Sequence, residues 1–297
     1  MKCKMATLFS LDSMFKKVLI LIVLLSFIVP FICNFSTIEY SYVAPHFDKN
    51  KIKSTGSTSM SHILSILSDD FMSVYPEFVY EKSETGSGSA PFLVSSKEAD
   101  LGDMSRYMKD DERTDSMKSK LIALDGIVVI LNKNNRISNL SLENLRDIFS
   151  KKVTHWSEIS DEFSGKIVSV GREEASGTRE GFENGINLEK SCYDIILPES
   201  GDIAAKVSSD EKAIGYISMA SIAGNIHAVK VNNIECNSEN VRNGNYPLIR
   251  PFVQVYIDNS DYDNNYALEK WIEYLDSDRA RKLIEGEKLK KKKKKFS

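Results

Sequence analysis

Three short stretches rich in glycine, serine and threonine hold the residues that could do chemistry. They are STGSTS at residues 54–59, ETGSGSAP at residues 84–91 and GREEASGTR at residues 171–179. The first precedes an amphipathic segment, so its hydroxyls and the first amides of a helix would face one point at the positive end of the helix dipole. Such a point can bind an anion, although ordinary N-capping is the commoner explanation of the stretch taken alone.

The second stretch adds a flexible backbone, and the third adds the guanidinium group of an arginine. Glycines in the second permit close approach to a ligand, or simply a surface turn. In the third, Arg172 follows a predicted strand and SGT at residues 176–178 opens a predicted helix. Arginine can grip two oxygens of a tetrahedral oxyanion at once, and we expect Glu174 to pair with Arg172 and fix it. A solvated charge cluster on a loop is the alternative.

Short apolar runs that alternate with helical patterns must position these stretches, and this alternation predicts an α/β fold. Ser141 is a predicted N-cap with Asn144 at the third helical position. The predicted strands are 78–80, 127–131, 167–170, 214–217 and 252–257, and the predicted helices are 60–71, 142–150, 180–184 and 267–275.

Composition and charge limit the function. The chain has 297 residues, 42% of them hydrophobic and 27% charged, which fits a globular protein of one large or two medium domains. Removing the +3 of residues 1–33 and the +6 of residues 290–295 from the net charge of −3 leaves −12 on the body. Such a body argues against non-specific nucleic-acid binding, and by bulk charge alone it predicts poor anion binding.

The two ends of the chain differ from its body. An uncharged apolar run at residues 18–33 follows Lys16 and Lys17, so residues 1–33 are a predicted signal peptide or lipoprotein leader ending at Cys33. An uncleaved anchor or a buried helix are the alternatives. Residues 34–50 are predicted to be a tether, and residues 290–297 a solvated basic tail or a contact for anionic lipid.

Enzymatic and metal chemistry find little support. There is no GxSxG or HExxH motif, and the four histidines lack ligand spacing. Cys192 and Cys236 belong to no CxxC pair, so we expect two free thiols or else one disulfide, and we predict no metal or cofactor. A secreted phosphatase or esterase with a nucleophilic serine remains the rival hypothesis, although it needs a base or metal cluster that the sequence does not reveal.

The order and spacing of several further motifs, together with the three stretches, are specific. In this respect residues 51–285 resemble the phosphate-binding proteins of bacterial ABC-type phosphate uptake systems, a branch of the periplasmic solute-binding proteins. The further motifs are ADLGDMSR (99–106), LDGIVVILN (124–132), ISNLSLENLRDIFSKKVTHWSEI (137–159), AIGYIS (213–218) and YPLIRPFVQVY (246–256).

This resemblance implies a two-lobed periplasmic-binding-protein-like fold of type II, with the ligand cleft between two mixed-sheet α/β lobes. Lobe one would be residues 51–126 and 252–289, and lobe two residues 127–251. LDGIVVILN and YPLIRPFVQVY would be the two crossings of the chain between them. The phosphate contacts implied are Thr58, Ser59, Ser87, Ser105, Arg106, Arg172, Ser176, Gly177 and Thr178.

The resemblance also implies a role and partners. The chain would be an exported, membrane-tethered monomer, periplasmic or on the outer face of the cytoplasmic membrane, that binds inorganic phosphate without chemistry. It would deliver phosphate to the permease of an ABC transporter. The same fold could instead bind another tetrahedral oxyanion such as sulfate or molybdate.

Two departures from the family pattern matter. Ser105-Arg106 stands where some members place an Asp that accepts the proton of hydrogen phosphate, and Asp103 is our candidate for this acceptor. After the last predicted helix, the chain runs from Leu289 into lysines where the family has an apolar segment. We therefore expect lobe one to lack that closing segment, or the chain to end differently.

Overall fold

The computed structural model describes residues 50–222, 224–258 and 266–293, with side chains up to residue 286. The predicted leader, the predicted tether up to residue 49, and residues 294–297 lie outside the described residues. The strands are β1 (Lys51–Gly56), β2 (Val79–Glu84), β3 (Leu101–Met104), β4 (Met117–Asn132), β5 (Asn139–Leu140), β6 (Val168–Arg172), β7 (Ile195–Leu197), β8 (Ala213–Ser218), β9 (Ile226–Ala228), β10 (Lys230–Val231) and β11 (Ile249–Ile257). The helices are α1 (Ser61–Val74), α2 (Ala90–Ser95), α3 (Leu142–Phe149), α4 (Gly177–Gly185), α5 (Ser200–Ser209), α6 (Ser238–Arg242), α7 (Tyr266–Leu275) and α8 (Asp278–Lys293).

One continuous sheet runs in the order β2-β1-β3-β11-β4-β8-β6-β7, and β9 also pairs with β4. The 16-residue strand β4 connects its two halves. Residues 117–126 of β4 pair antiparallel with β11, and residues 127–131 pair antiparallel with β8. On either side of this centre, β1 is parallel to β2 and β3, and β6 is parallel to β7 and β8.

The hydrophobic core is divided at the middle of β4, and this division defines the two lobes. Lobe two has one cluster of buried residues between Ile127 and Leu248. Lobe one has two clusters, one on each face of its sheet. The first packs α1, α7 and α8 against Ile52, Leu101 and Phe252, and the second packs α2 against Met104, Val253 and Val255. The predicted two-lobed α/β fold with a mixed sheet in each lobe is therefore confirmed.

Helix α3 shows how local sequence sets an element. Ser141 precedes it as N-cap and accepts a hydrogen bond from the Asn144 amide (2.9 Å), while the Asn144 side chain accepts one from the Ser141 amide (3.0 Å). This reciprocal pair satisfies two amides that would otherwise lack partners. Leu145, Ile148 and Phe149 are buried, so the helix turns one face to the core, and the predicted cap is confirmed.

Several elements differ from the prediction. Residues 54–56 end strand β1 rather than forming a loop, and β4 begins at Met117, ten residues before the predicted strand at Ile127. The missed half of β4 lies at one edge of lobe one and has mostly exposed or half-buried positions between Met117 and Asp125, so it lacks a continuous apolar run. Cys192 and Cys236 are free thiols, so the disulfide alternative is not realised.

Helix α8 closes lobe one, contrary to our expectation that a closing element is missing. Ala280 is buried, and Leu283 and Ile284 pack against the core shared by α1 and α7. Arg279 pairs with Asp70 of α1 through two contacts of 2.6 Å. The helix continues through Lys293, so the first residues of the predicted basic tail are helical. Within the described ranges, no helix combines the length and apolar character that crossing a bilayer requires.

Gly126 provides a test of the packing where β4 passes between the lobes. A Cβ atom there would lie 2.3 Å from the Cys236 Sγ and 2.9 Å from the Val241 Cγ2. We expect Gly126→Ala to lower the free energy of unfolding by about 1–3 kcal/mol, because buried neighbours must move. Gly201 in α5 is the matched control: a Cβ would meet nothing within 4 Å. Its alanine variant should therefore be at least as stable as the wild type, with a gain of up to about 1 kcal/mol because alanine favours a helix over glycine. Urea denaturation measures both, and identical midpoints for Gly126→Ala and wild type would contradict this packing.

Candidate functional site

In lobe one, the serine-rich loops meet at one edge of the sheet. Strands β1, β2 and β3 are parallel, so their carboxyl ends lie together and the loops that follow them are neighbours. The Ser57 hydroxyl donates to Ser105 Oγ (3.0 Å), the hydroxyls of Ser87 and Ser105 lie 3.1 Å apart, and the Ser105 amide donates to Ser87 Oγ (3.1 Å). All three side chains are buried.

In lobe two, the third stretch forms the end of β6 and the start of α4. Arg172 is the last residue of β6, and Ser176 caps α4 by accepting a hydrogen bond from the Arg179 amide (3.4 Å). Gly177 and Thr178 form the first turn of the helix. Arg172, Ser176 and Thr178 are almost completely buried, so these polar groups are removed from bulk water.

Direct contacts join the loops of the two lobes. The hydroxyls of Ser59 and Thr178 lie 2.7 Å apart, and the Gly88 amide donates to the Ala175 carbonyl (3.0 Å). A Cβ on Gly177 would lie 2.6 Å from Ser105 Oγ and 2.7 Å from Ser87 Oγ. Only glycine permits this approach. We call the side chains of Ser57, Thr58, Ser59, Ser87, Ser105 and Thr178 the hydroxyl cluster.

The Arg172 guanidinium lies beside the hydroxyl cluster and is held from several directions. Its Nη2 donates to Thr58 Oγ1 of lobe one (3.0 Å), and its Nη1 donates to Ser200 Oγ of lobe two (3.2 Å). Its Nε and Nη2 also contact the carboxylate of Glu173 at 3.2 and 3.0 Å. The orienting acid is therefore Glu173, and our prediction of Glu174 was wrong.

Side chains also fix the backbone of Arg172. Its amide donates to the Tyr216 hydroxyl (3.4 Å), and its carbonyl accepts from Arg179 Nη1 (3.2 Å). Arg179 is in turn held by Glu183 (2.8 Å). The end of β6 is thus rigidly placed, as a preorganised binding group requires.

Arg106 has other partners than the hydroxyl cluster. Its Nη1 and Nη2 donate to the Glu112 carboxylate at 2.7 and 2.5 Å, and its Nε contacts Glu180 of α4 at 2.9 Å. Lys109 also contacts Glu180, at 3.2 Å. Burial favours a higher pKa for Glu112, but the bonds from Arg106 outweigh this and lower its pKa. Since Glu180 belongs to lobe two, we call Arg106, Lys109, Glu112 and Glu180 the interlobe clamp.

The predicted site residues thus fall into two groups. The structure brings together Thr58, Ser59, Ser87, Ser105, Arg172, Ser176, Gly177 and Thr178, whereas the guanidinium of Arg106 bonds to carboxylates at the side of the cleft. A family model described as a PBP superfamily domain matches residues 43–279. The chain belongs to the PBP superfamily.

Individual relatives agree with this membership and with the predicted branch of phosphate-binding proteins. A Clostridium perfringens structure, described as a phosphate ABC transporter substrate-binding protein with bound phosphate, is 30% identical with a TM-score of 0.75, covering 80% of this chain and 98% of that one. A phosphate transport receptor from Vibrio cholerae is 28% identical with a TM-score of 0.67, over 80% and 98% of the two chains.

Sequence relatives carry similar names. Phosphate-binding protein PstS 2 of Streptococcus pneumoniae is 35% identical over 118 residues, which is 40% of this chain and only 40% of that relative. Phosphate-binding protein PstS of Pseudomonas aeruginosa is 26% identical over 237 residues, or 69% of this chain and 72% of the relative.

In this PBP superfamily member, the carboxyl group of Asp103 is turned into the core of lobe one. It accepts hydrogen bonds from Ser54 Oγ and from Gln254 Nε2 (2.7 Å), and Gln254 is itself held by Trp271 Nε1 (2.8 Å). Burial raises the pKa of Asp103 to about 7, although the bonds from Ser54 and Gln254 oppose this. Its carboxylate is thus bonded within lobe one, and what reaches the site is its backbone carbonyl, which accepts from the Ser57 amide (2.8 Å).

Sequence reasoning missed two buried charges next to the hydroxyl cluster. Arg250 of β11 pairs with Asp125 of β4 at 2.9 Å, and both side chains are nearly inaccessible to solvent. Arg250 Nη1 also donates to Thr178 Oγ1 (2.5 Å). One signal was available: an arginine within the apolar run LIRPFVQVY needs a buried counterion, because lone charges are rarely buried.

A cavity of about 330 Å³ lies beside the cluster, between the lobes. Its lining includes Thr58 and Ser200, the two hydroxyl partners of Arg172, together with His62, Glu84 and Glu199. The two hydroxyls that bond to Arg172 therefore line this cavity between the lobes.

The buried carboxyl of Asp103 predicts a pH dependence of stability. Its folded pKa of about 7 lies above the reference value of 3.8. Its contribution is therefore fully present below about pH 4 and is lost as the pH rises through about 7, by up to about 1.4 kcal/mol per pH unit. We expect Asp103→Asn to gain stability relative to wild type across this window, as measured by urea denaturation. The exposed Asp69 of α1 is the control, since Asp69→Asn should show no such relative gain. A wild-type to Asp103→Asn difference that is constant with pH would contradict the raised pKa.

Proposed function

We propose that this protein is an extracytoplasmic receptor that binds inorganic phosphate and delivers it to the permease of an ABC transporter. The observation that carries the proposal is the meeting of the hydroxyl cluster with Arg172 and the start of α4 at the contact between the lobes. The relatives named as phosphate-binding or phosphate transport proteins support it.

The proposed site replaces the hydration shell of phosphate with fixed donors. Thr58, Ser59, Ser87 and Ser105 supply hydroxyls from lobe one, and Ser176, Gly177 and Thr178 supply amides and hydroxyls from the first turn of α4. Arg172 supplies the forked cation. Because the donors come from both lobes, bound phosphate favours the closed arrangement over an open one.

The hydrogen bonds of the serines favour binding over catalysis. The hydroxyls of Ser57, Ser87 and Ser105 bond to one another, so none is paired with an imidazole or carboxylate as a serine nucleophile requires. The relatives are named as phosphate-binding or substrate-binding proteins. We therefore propose that phosphate is bound without chemistry. Sulfate or molybdate in the same cleft is the competing ligand hypothesis.

The proposal also states where the chain divides into lobes and where the protein is located. We place the lobe boundaries at the two crossings, 126/127 and 251/252, with one chain supplying the whole site as a monomer. The apolar leader would export the protein and tether it outside the cytoplasm. The acidic body argues against nucleic acid as a partner.

Loss of Arg172 and Ser176 tests the site. We expect the double variant Arg172→Ala with Ser176→Ala to abolish phosphate binding measured by calorimetry, because it removes the charged fork and the cap of α4. The pair Arg136→Ala with Ser95→Ala, at exposed positions, is the control and should bind as wild type. Retained affinity in the first double variant would contradict the assignment.

The same titration discriminates between the functions. Wild type should bind phosphate and arsenate, which share shape and protonation, more tightly than sulfate or molybdate. Tighter binding of sulfate or molybdate would favour the competing oxyanion. Turnover of a chromogenic phosphate ester would instead favour a phosphatase.

The interlobe clamp predicts an effect on ligand release. Glu180→Gln removes the carboxylate that joins Arg106 and Lys109 to α4, so phosphate should dissociate about two- to fivefold faster, a modest effect because the pair is partly exposed. Stopped-flow release measures this rate, and Glu143→Gln, at an exposed position of α3, is the control. An unchanged rate would show that the clamp does not stabilise the closed form.

A further inference from the structure

A buried charged pair lies where the chain passes between the lobes, and the proposed phosphate site does not use it. Arg250 of β11 and Asp125 of β4 are direct partners in the antiparallel ladder. Arg250 Nε and Nη2 donate to the same carboxylate oxygen of Asp125 at 3.0 and 2.9 Å, and Ser218 donates to the other oxygen at 2.9 Å. The Asp125 carboxylate of lobe one is therefore fixed by two side chains of lobe two, and it in turn fixes the Arg250 guanidinium.

The remaining terminal nitrogen of Arg250 points to the hydroxyl cluster. Nη1 donates to Thr178 Oγ1 at 2.5 Å. A guanidinium has donors and no acceptor, so the Thr178 oxygen must receive this bond on a lone pair. The single hydroxyl proton of Thr178 is then directed elsewhere. The side of Thr178 Oγ1 away from Arg250 faces the cluster, where Ser59 Oγ lies 2.7 Å away and either hydroxyl can be the donor.

The charge of Arg250 also acts on Arg172 at the proposed site. Burial lowers the pKa of Arg250, Asp125 opposes this effect, and the nearby charge of Arg172 adds to the lowering. The two guanidiniums therefore interact electrostatically, and an anion bound beside both would relieve their repulsion. Since Asp125 offsets the charge of Arg250, the main effect of Arg250 is on the direction of the Thr178 hydroxyl.

We propose that Arg250, held by Asp125 at the crossing between the lobes, is a positioning residue that makes Thr178 a hydrogen-bond donor to the bound oxyanion. This inference rests on the proposed phosphate-binding function. It has a consequence for specificity: the ligand oxygen that faces Thr178 must be an acceptor, so a protonated oxygen is excluded from that position.

A double-mutant cycle tests the link between Arg250 and Thr178. The first variant, Arg250→Met with Asp125→Asn, removes the pair without leaving a buried unpaired charge. The second, Thr178→Val, removes the hydroxyl while keeping the shape, and a third combines the two. Phosphate affinity is measured by calorimetry for each.

We expect each of the first two variants to bind phosphate about tenfold more weakly, since each loses one hydrogen bond to a charged ligand. The combined variant should bind no more weakly than Thr178→Val alone, because the pair acts through that hydroxyl. Thr178→Ser, which keeps the hydroxyl, should preserve the dependence on Arg250. Losses that multiply to about a hundredfold would show that Arg250 only stabilises the crossing, and would overturn the proposal.

Two controls keep the result interpretable. Tyr246→Phe removes another buried hydrogen bond at the crossing, from the Tyr246 hydroxyl to the Ile127 carbonyl (2.9 Å), so it should lower stability without changing phosphate affinity. If the Met/Asn variant does not fold, Arg250→Lys keeps a cation beside Asp125 and replaces the fork by one nitrogen, and the same cycle is expected with it. Failure of the wild type to bind phosphate would reject the proposed function and this inference together. Wild-type binding with multiplying losses would reject the inference alone.

Discussion

The antiparallel ladder between β4 and β11 is the constraint on which the rest of the structure depends. The chain passes between the two lobes through these two neighbouring strands, which pair from Gly126 and Ile249 to Met117 and Ile257. The loops that form the hydroxyl cluster come from opposite sides of this ladder. Their contacts at 2.7–3.0 Å therefore require the ladder to hold its register at the boundary. The buried pair of Arg250 and Asp125 spans the ladder there and adds a charged contact to its backbone bonds.

Local neutrality, rather than net charge, characterises the surroundings of the cleft. Each arginine near it has a carboxylate partner: Arg172 has Glu173, Arg250 has Asp125, Arg179 has Glu183, and Arg106 has Glu112 and Glu180. An acidic protein can therefore present a buried site made of hydroxyls, amides and one forked cation. The charge of −12 on the body acts mainly from distances beyond about 8 Å, where salt at physiological ionic strength screens it. The bulk charge therefore does not decide whether this site binds an anion, since fixed dipoles act at contact distance.

Features that depend on neighbouring residues could be predicted from the sequence, and features that depend on partners far apart in the sequence could not. The cap of α3 by Ser141 and Asn144, the strand before Arg172 and the glycine-rich loops are all local, and the motif order then implied the two lobes. Glu173 rather than Glu174 pairs with Arg172 because of the direction that the backbone takes after β6. A shift of one residue there would exchange the positions of the two carboxylates. The pairing of Arg250 with Asp125 joins residues 125 positions apart, and only the ladder register sets it. Arg106 was assigned to the ligand by its motif, whereas its partner Glu180 becomes a neighbour only when α4 packs across the cleft.

The two crossings lie side by side, and this has an architectural consequence. The Ile127 amide donates to the Leu248 carbonyl at 2.8 Å, so the chain enters and leaves lobe two at neighbouring points. Residues 127–248 are thus an insertion into what would otherwise be the turn of a β-hairpin made by β4 and β11. Joining Gly126 to Ile249 by a two-residue turn would restore that hairpin and leave both hydrophobic clusters of lobe one whole. Lobe one, which holds Ser57, Ser87 and Ser105, would then be one continuous chain with its own core, and gene fusion at the two neighbouring crossings could exchange the inserted residues for another insert.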